Sequence, residues 1–480
     1  METGTALFDL TPIREALANF TISPNTAPND EINPDQVFFP SSHRNVLDIK
    51  RQLVVGNRGM GKSFWTHALT NLDVRKQLAD AYSFPGLART DVVIGFNGST
   101  KKSGITPTIE EIQRVSKNEE DPQLIWQAVI LRAVRSLSPT VTNLSLIDTL
   151  ELLKVRPDNY PVELSTADDA AIHRGASILI VFDALDRLSS QGWDPIRKLT
   201  KGLLLTVLGL QSFRCIRAKV FMRVDQFADK ELFRFPDSSK VTNDRVDLTW
   251  QPHELYGLLL FELMRHPGAK STLRILATGL GTDSALPAKG RVDSNPEQQA
   301  ALISAVAGEF MGKDRKRGRV YTWVPLHLSD AANTCSPRTF LTAWQTAAEH
   351  QPATPGLAVD HRGLTEGVRA ASRARLTELL EDYPWIETAL EPLRRHFVPI
   401  PRDELFDLWR NARVSEAINN AEGLAPIGVV GKDDHDGLLK TMANIAVMEE
   451  RANGKINVPD IFRVEAQILR KGGVAVPRRN

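Results

Sequence analysis

Apolar positions in the first half of the chain come in short unbroken runs, with stretches of helical spacing between them. Leu53–Val55 is one such run, followed by a glycine-rich turn and a helical pattern from Lys62. Val92–Phe96 is a second. Between Pro122 and Ser136, residues Leu124, Ile125, Ala128, Val129, Leu131 and Ala133 recur near the period of an α-helix. Ser177–Phe182 is apolar through Phe182, as expected for a strand covered on both faces. A helical pattern over Asp194–Leu210 precedes two further strand patterns, Ala218–Met222 and Val246–Trp250. Strands and helices in alternation predict a parallel α/β sheet with helices on both sides.

Beyond about residue 252 the strand patterns stop. Helices are expected over His253–Arg265, Glu297–Met311, Pro337–His350 and Gly363–Leu380, with a loop at Gly279–Pro296. A last unit starts near Asp434, with a helix over Gly437–Ala443 and two short strand patterns around Asn453-Gly454. Asn-Gly is a strong hairpin signal, and a helix followed by a hairpin predicts a winged-helix-like domain. Before the sheet, a short helical pattern at Pro12–Phe20 sits in a Pro-, Asn- and Asp-rich lead-in. The expected organisation is an arm over 1–35, an α/β core over 36–265, a helical lid over 266–350, a helical region over 351–433 and the last domain over 434–480.

Composition narrows the function classes. The net charge is +1, so any contact with nucleic acid must come from a local patch. No apolar run approaches the ~20 residues that span a bilayer, and no basic segment with an apolar core opens the chain, so a cytoplasmic protein without membrane contact is expected. Cys215 and Cys335 lack any metal-site spacing and read as reduced thiols.

The strongest chemical signal is Gly56-Asn57-Arg58-Gly59-Met60-Gly61-Lys62-Ser63, which satisfies G-x-x-x-x-G-K-[ST]. Glycines at these positions let backbone N–H groups turn inward around phosphates. Lys62 would sit between the β- and γ-phosphates of a nucleoside triphosphate, and the Ser63 hydroxyl would ligate Mg2+. With Phe64, residues 56–64 form the expected ATP/ADP cradle. Asp183, closing the run Ile178–Phe182, is the expected second Mg2+ ligand. Ala184 follows it where many such ATPases carry a water-orienting Glu. Asp186 would take that role, or it caps the next helix or pairs with Arg187. Arg223, after the strand ending at Met222, and Arg338, in Ser336-Pro337-Arg338, are candidate γ-phosphate sensors, or members of surface ion pairs.

The ordered set resembles the AAA+/STAND group of P-loop ATPases. Its most specific part is Asp183-Ala184-Leu185-Asp186, matching a pattern that continues with Glu in the family but with Arg187 here. Arg223 matches the position of the family's arginine after strand 4, and Ser336-Pro337-Arg338 resembles its lid motif. The resemblance implies sheet order 5-1-4-3-2, a helical lid and a winged helix. It implies an ATP-dependent, slowly hydrolysing switch that self-assembles or recruits an effector, in some relatives for phage defence. The alternative is a DNA-associated ATPase similar to origin-recognition or loader proteins, contacting DNA through the winged helix. Basic residues also gather at Lys313, Arg315, Lys316, Arg317 and Arg319, beside Tyr321 and Trp323, and at Arg470, Lys471, Arg478 and Arg479. Each group is a solvated segment or a contact for a nucleic-acid backbone.

Overall fold

A computed structural model describes residues 9–22, 32–189, 192–288, 290–291, 295–351, 354–420, 434–471 and 474–476. Arg478 and Arg479 lie outside them. The chain divides into two compact units, Asn25–Leu248 and a second that joins Met1–Pro24 to Thr249–Asn480.

The first unit is built on five strands: β1 (Leu53–Val55), β2 (Thr90–Phe96), β3 (Ser177–Phe182), β4 (Ile216–Met222) and β5 (Val246–Asp247). All neighbours are parallel, as the alternation of strands and helices predicts, and the order is β2-β3-β4-β1-β5, the one that the family resemblance implies. β1 and β3 are apolar on both faces because helices cover both sides. One of them, Pro122–Arg135, starts with Asp121 accepting from the Gln123 amide and a proline in its first turn. Its Trp126 meets the rings of Phe96 and Phe182 edge-on and donates to Leu199 O at 2.8 Å. Two glycines make this packing close. A Cβ on Gly95 would stand 2.5 Å from the Phe182 ring, and one on Gly202 would stand 2.5 Å from Pro122.

β5 is shorter than the pattern Val246–Trp250 suggests. Leu248 N still donates to Val55 O at 2.7 Å, and Pro252 then opens a helix in the other unit. Lys219 is fully buried in β4, and its ammonium donates to the carbonyls of Asp48 and Arg51 at 2.9 and 2.7 Å. Burial pulls this amine down to about 7.

The second unit is mainly helical. The N-terminal helix Thr11–Ala18, read as part of an arm, has Ile13 and Leu17 fully buried in this unit's core. Gln345 ties it down by donating to Ala18 O and Phe20 O. Helices Pro337–Glu349 and His361–Asp382 approach most closely, because a Cβ on Gly363 or Gly367 would strike the carbonyl oxygens of Ala347 or Ala343. Two helices absent from the sequence reading precede them in the chain. Pro267–Leu280 was hidden by its glycines, and Val320–Leu328 by an internal Pro325. The helix expected over Glu297–Met311 spans Pro296–Ala307, since Gly308 turns into the left-handed region (φ 85°).

Short strands return after residue 252, where none but the hairpin was expected. β6 (Phe397–Val398) runs parallel to β10 (Leu469–Arg470). β7 (Ile400–Pro401), β8 (Glu449–Glu450) and β9 (Lys455–Asn457) form an antiparallel sheet in the order β7-β9-β8. The β8–β9 turn contains Asn453-Gly454, with Gly454 at φ 73°. With helices Arg402–Asn411 and His435–Asn444 this makes a winged-helix-like fold around the buried Trp409, which stacks with Phe406 and His435.

Candidate functional site

The site lies at the C-terminal ends of β1, β3 and β4. The loop Gly56–Gly61 follows β1 directly, with Gly59 and Gly61 at φ 83° and 103°, where a side chain would be strained. Gly56 is held by its N–H to Met222 O at 3.0 Å, and a Cβ there would press on Leu248. Met60 is buried beneath the loop, while Asn57, Arg58 and Gly59 are part-exposed. The helix Lys62–Ala68 starts as the loop closes. Trp65 anchors it by donating from Nε1 to His43 Nδ1 at 3.0 Å. Phe64 lies beside Trp65, ring centres 5.2 Å apart.

Lys62 folds back over its own loop. Its Nζ donates to Gly56 O and Asn57 O at 2.8 and 2.9 Å. The residue keeps some exposed surface, but its ammonium is enclosed. Burial pulls the amine down to about 8, against the opposing pull of Asp183. The Ser63 hydroxyl donates to Asp183 Oδ2 at 2.7 Å. β4 lies between β1 and β3, so a carboxylate two strands away closes on the loop at the sheet's end. Asp183 is buried, and burial raises its proton affinity, while Lys62 and the Ser63 hydroxyl oppose that shift.

The sequence groups Asp186 and Arg223 with the site, and the structure brings these two together. Arg223 NH1 lies 3.3 Å from Asp186 Oδ2, and its Nε lies 3.1 Å from Asp225 Oδ1. Asp186 stands on a short 3-10 turn, Leu185–Arg187, entered through Ala184 at φ 57°. Arg338 is in the other unit, where its NH1 meets Glu378 at 2.7 Å.

Two participants escaped the sequence reading. Asp225 holds Arg223 from one side, and only its spacing two residues on could have signalled it. The loop after β2 carries Gly98 at φ 66°, and a Cβ there would lie 2.7 Å from Ala184 Cβ and 3.0 Å from Arg187 Cδ. Asn97-Gly98 after an apolar run was the available signal.

Among the described residues no three His, Cys, Asp or Glu side chains gather as a metal cluster. A hydroxyl and one carboxylate fit Mg2+, which takes few protein ligands and fills its remaining positions with phosphate oxygens and water. No described helix is long and apolar enough to cross a membrane.

No protein-family model matches the sequence, and a search of curated proteins finds no relative. Among solved structures, the Walker-type ATPase PABY2304 of Pyrococcus abyssi superposes with a TM-score of 0.37 at 12% identity, over 91% of this chain and 95% of that one. Cdc6p from Pyrobaculum aerophilum gives 0.29 at 13%, over 92% and 93%. The ORC2 protein of Aeropyrum pernix, in its ADPNP–ADP complexes, gives 0.36 at 13%, over 87% and 85%. These are distant likenesses that extend over most of the chain. Superpositions this loose transfer no ligand, activity or partner to it.

Proposed function

We propose that this protein binds ATP with Mg2+ on residues 56–64 and works as a slowly hydrolysing switch, self-assembling or recruiting an effector when ATP is bound. The observation that carries this reading is the Ser63–Asp183 hydrogen bond of 2.7 Å, which unites the two expected Mg2+ ligands from distant parts of the sequence. Lys62 would release its two carbonyls to meet the phosphates, and the bound anion would favour its charged form.

Slow turnover follows from the neighbours. Ala184 has no group to orient water, and Asp186 is engaged by Arg223. Arg223 would sense the γ-phosphate by leaving Asp186 and Asp225. Arg338 would have to leave Glu378 to act likewise, and Arg223 is given the role because it directly follows β4, which pairs with the strand that carries the loop. Equilibrium binding of a fluorescent ATP analogue tests the site: Lys62→Ala should lower affinity by about a hundredfold or more, equal to ~2.7 kcal/mol. A variant that binds as the parent does refutes it. Light scattering tests the switch. A single mass in ADP, ATP and a non-hydrolysable analogue would remove the assembly role but leave the binding site standing.

A further inference from the structure

Several exposed arginines of the second unit are paired. Arg265 meets Glu262 at 2.7 Å, Arg394 meets Glu391 at 3.3 Å, and Arg410 pairs with Asp407 at 2.5 Å. One segment gathers four exposed cations within five positions. Phe310 and Arg319 form an antiparallel bridge, Met311 N donates to Gly318 O at 2.9 Å, and Val320 N donates to Glu309 O at 2.9 Å. These bonds close a β-hairpin-like finger. Its tip is Lys313-Asp314-Arg315-Lys316-Arg317, every residue exposed.

The tip is ordered from within. Asp314 Oδ1 accepts from the Lys316 amide at 2.9 Å, and Arg317 N and Gly318 N donate to Asp314 O and Arg315 O. Asp314 therefore shapes the backbone. Among the described residues, no ion pair within 4.0 Å is formed by Lys313, Arg315, Lys316 or Arg317. Arg319, at the root, lies 3.6 Å from Glu309. Gly318 at φ 89° lets Trp323 pack on the root, where its indole stacks on the His327 ring at 4.0 Å between centres.

At the wing the two arginines are paired, and Lys455 stands exposed with no ion pair among the described residues. Arg451 lies 3.6 Å from Glu449 and Arg402 lies 3.8 Å from Glu450, and Arg402 also pairs with Asp436. The helix His435–Asn444 carries Lys440 as its one lysine or arginine.

We propose that the finger 310–319 binds the phosphate backbone of a nucleic-acid duplex, and that the wing does not. Cations gathered on a short hydrogen-bonded loop meet phosphates without losing a salt bridge first, and displace condensed counterions on contact. Arg402 and Arg451 at the wing must break their pairs to do the same, and Lys455 offers a single charge. The finger makes no base-reading contact in this scheme, so it supplies affinity and register without sequence preference.

The test uses the full chain and a labelled duplex of about 30 base pairs, as DNA and as RNA, with fluorescence anisotropy between about 50 and 200 mM salt. Binding to either duplex is expected, with affinity falling about a hundredfold across that range if four phosphates are met. The combined variant Lys313→Ser, Arg315→Ser, Lys316→Ser and Arg317→Ser should flatten that dependence by about 3.6 in log–log slope. Its side chains are exposed, so its melting temperature and ATP binding should match the parent and certify the fold. A wing variant, Arg402→Ser with Arg451→Ser, should keep the parent slope. The proposal is overturned if neither duplex binds at low salt, if the finger variant keeps the parent slope, or if only the wing variant loses binding. Binding of the parent to anionic phospholipid vesicles but to neither duplex overturns it in favour of a membrane surface. The nucleotide site plays no part in these outcomes, so they leave the ATP reading untouched.

Discussion

Asp183 and Asp460 are almost equally buried, 3% and 4% exposed, yet they are surrounded differently. Asp460 closes a network. Arg463 Nε lies 2.6 Å from it, Arg470 NH1 3.2 Å and His327 Nε2 3.5 Å, and the Val474 amide donates at 3.4 Å. Asp183 accepts one side-chain hydrogen bond, from a part of the chain that also ends in solvent. A buried carboxylate saturated by fixed cations is a structural joint. One with a single hydroxyl and an enclosed lysine nearby has charge to give to a ligand. Burial alone does not separate the two, and the partners do.

The joint is the place to expect the largest effect. Asp460→Ala leaves Arg463, itself 1% exposed, as an uncompensated buried charge. The expected loss is about 3–5 kcal/mol of stability, read as a shift of the urea midpoint at unchanged slope. The molecules that remain folded should bind ATP as the parent does, since Asp460 belongs to the helical unit. A midpoint within experimental scatter of the parent would erase the contrast with Asp183.

Asp183→Asn should act in the other currency. Its amide still accepts from Ser63 but no longer offers a negative charge to Mg2+. ATP affinity measured with Mg2+ should fall by roughly tenfold or more, about 1.4 kcal/mol, while affinity measured in EDTA changes little. Stability should hold or rise, because a carboxylate is costly to bury. Equal losses with and without Mg2+ would assign Asp183 to the loop's architecture.

The sheet end was legible in the sequence for a physical reason. A strand buried on both faces must be apolar throughout, so Ser177–Phe182 and the acidic residue after it stand out, and the glycines at 59 and 61 mark a backbone only they adopt readily. The alternation of strands and helices made the parallel sheet legible, while its order came from the family resemblance. The joint was not legible. Asp460 and Arg463 resemble any i,i+3 pair on a surface helix, and nothing local says that His327, far earlier in the chain, closes over them. The place of the helix Thr11–Ala18 was hidden likewise, because its partners are more than 230 residues away in sequence, among them Gln345. Asp225 was visible in the sequence, but its pairing with Arg223 is a matter of geometry.

Lys219 extends the contrast to a buried cation with only neutral partners. Its amine, near 7 in the folded chain, would return to about 10.4 on unfolding. Between those values the unfolded chain binds the extra proton, so stability rises with pH, by at most ~1.4 kcal/mol per unit. Lys219→Met removes that proton exchange. The variant's melting temperature relative to the parent should therefore be highest at about pH 6–7 and decline toward pH 9.5. A gap that does not change with pH would mean the ammonium is charged throughout, and that its two carbonyls suffice to hold it.

The smallest expected effect sits between the two aspartates of the site. Ala184 turns the chain directly after Asp183 in the left-handed region, which Cβ disfavours, and so carries Asp186 round to Arg223. Ala184→Gly removes a strain of roughly 1–2 kcal/mol but frees the unfolded chain by about 0.4–1 kcal/mol, for a net gain of ~0.5–1 kcal/mol. It also removes the methyl that faces Gly98, so part of that gain is lost to poorer contact. A modest rise in melting temperature with unchanged ATP affinity is the expected outcome. A fall would show that the Ala184–Gly98 contact outweighs the strain. The turn would then be held from outside by the β2 loop, and the underpartnered side of the comparison would be more rigid than Asp183 by itself suggests.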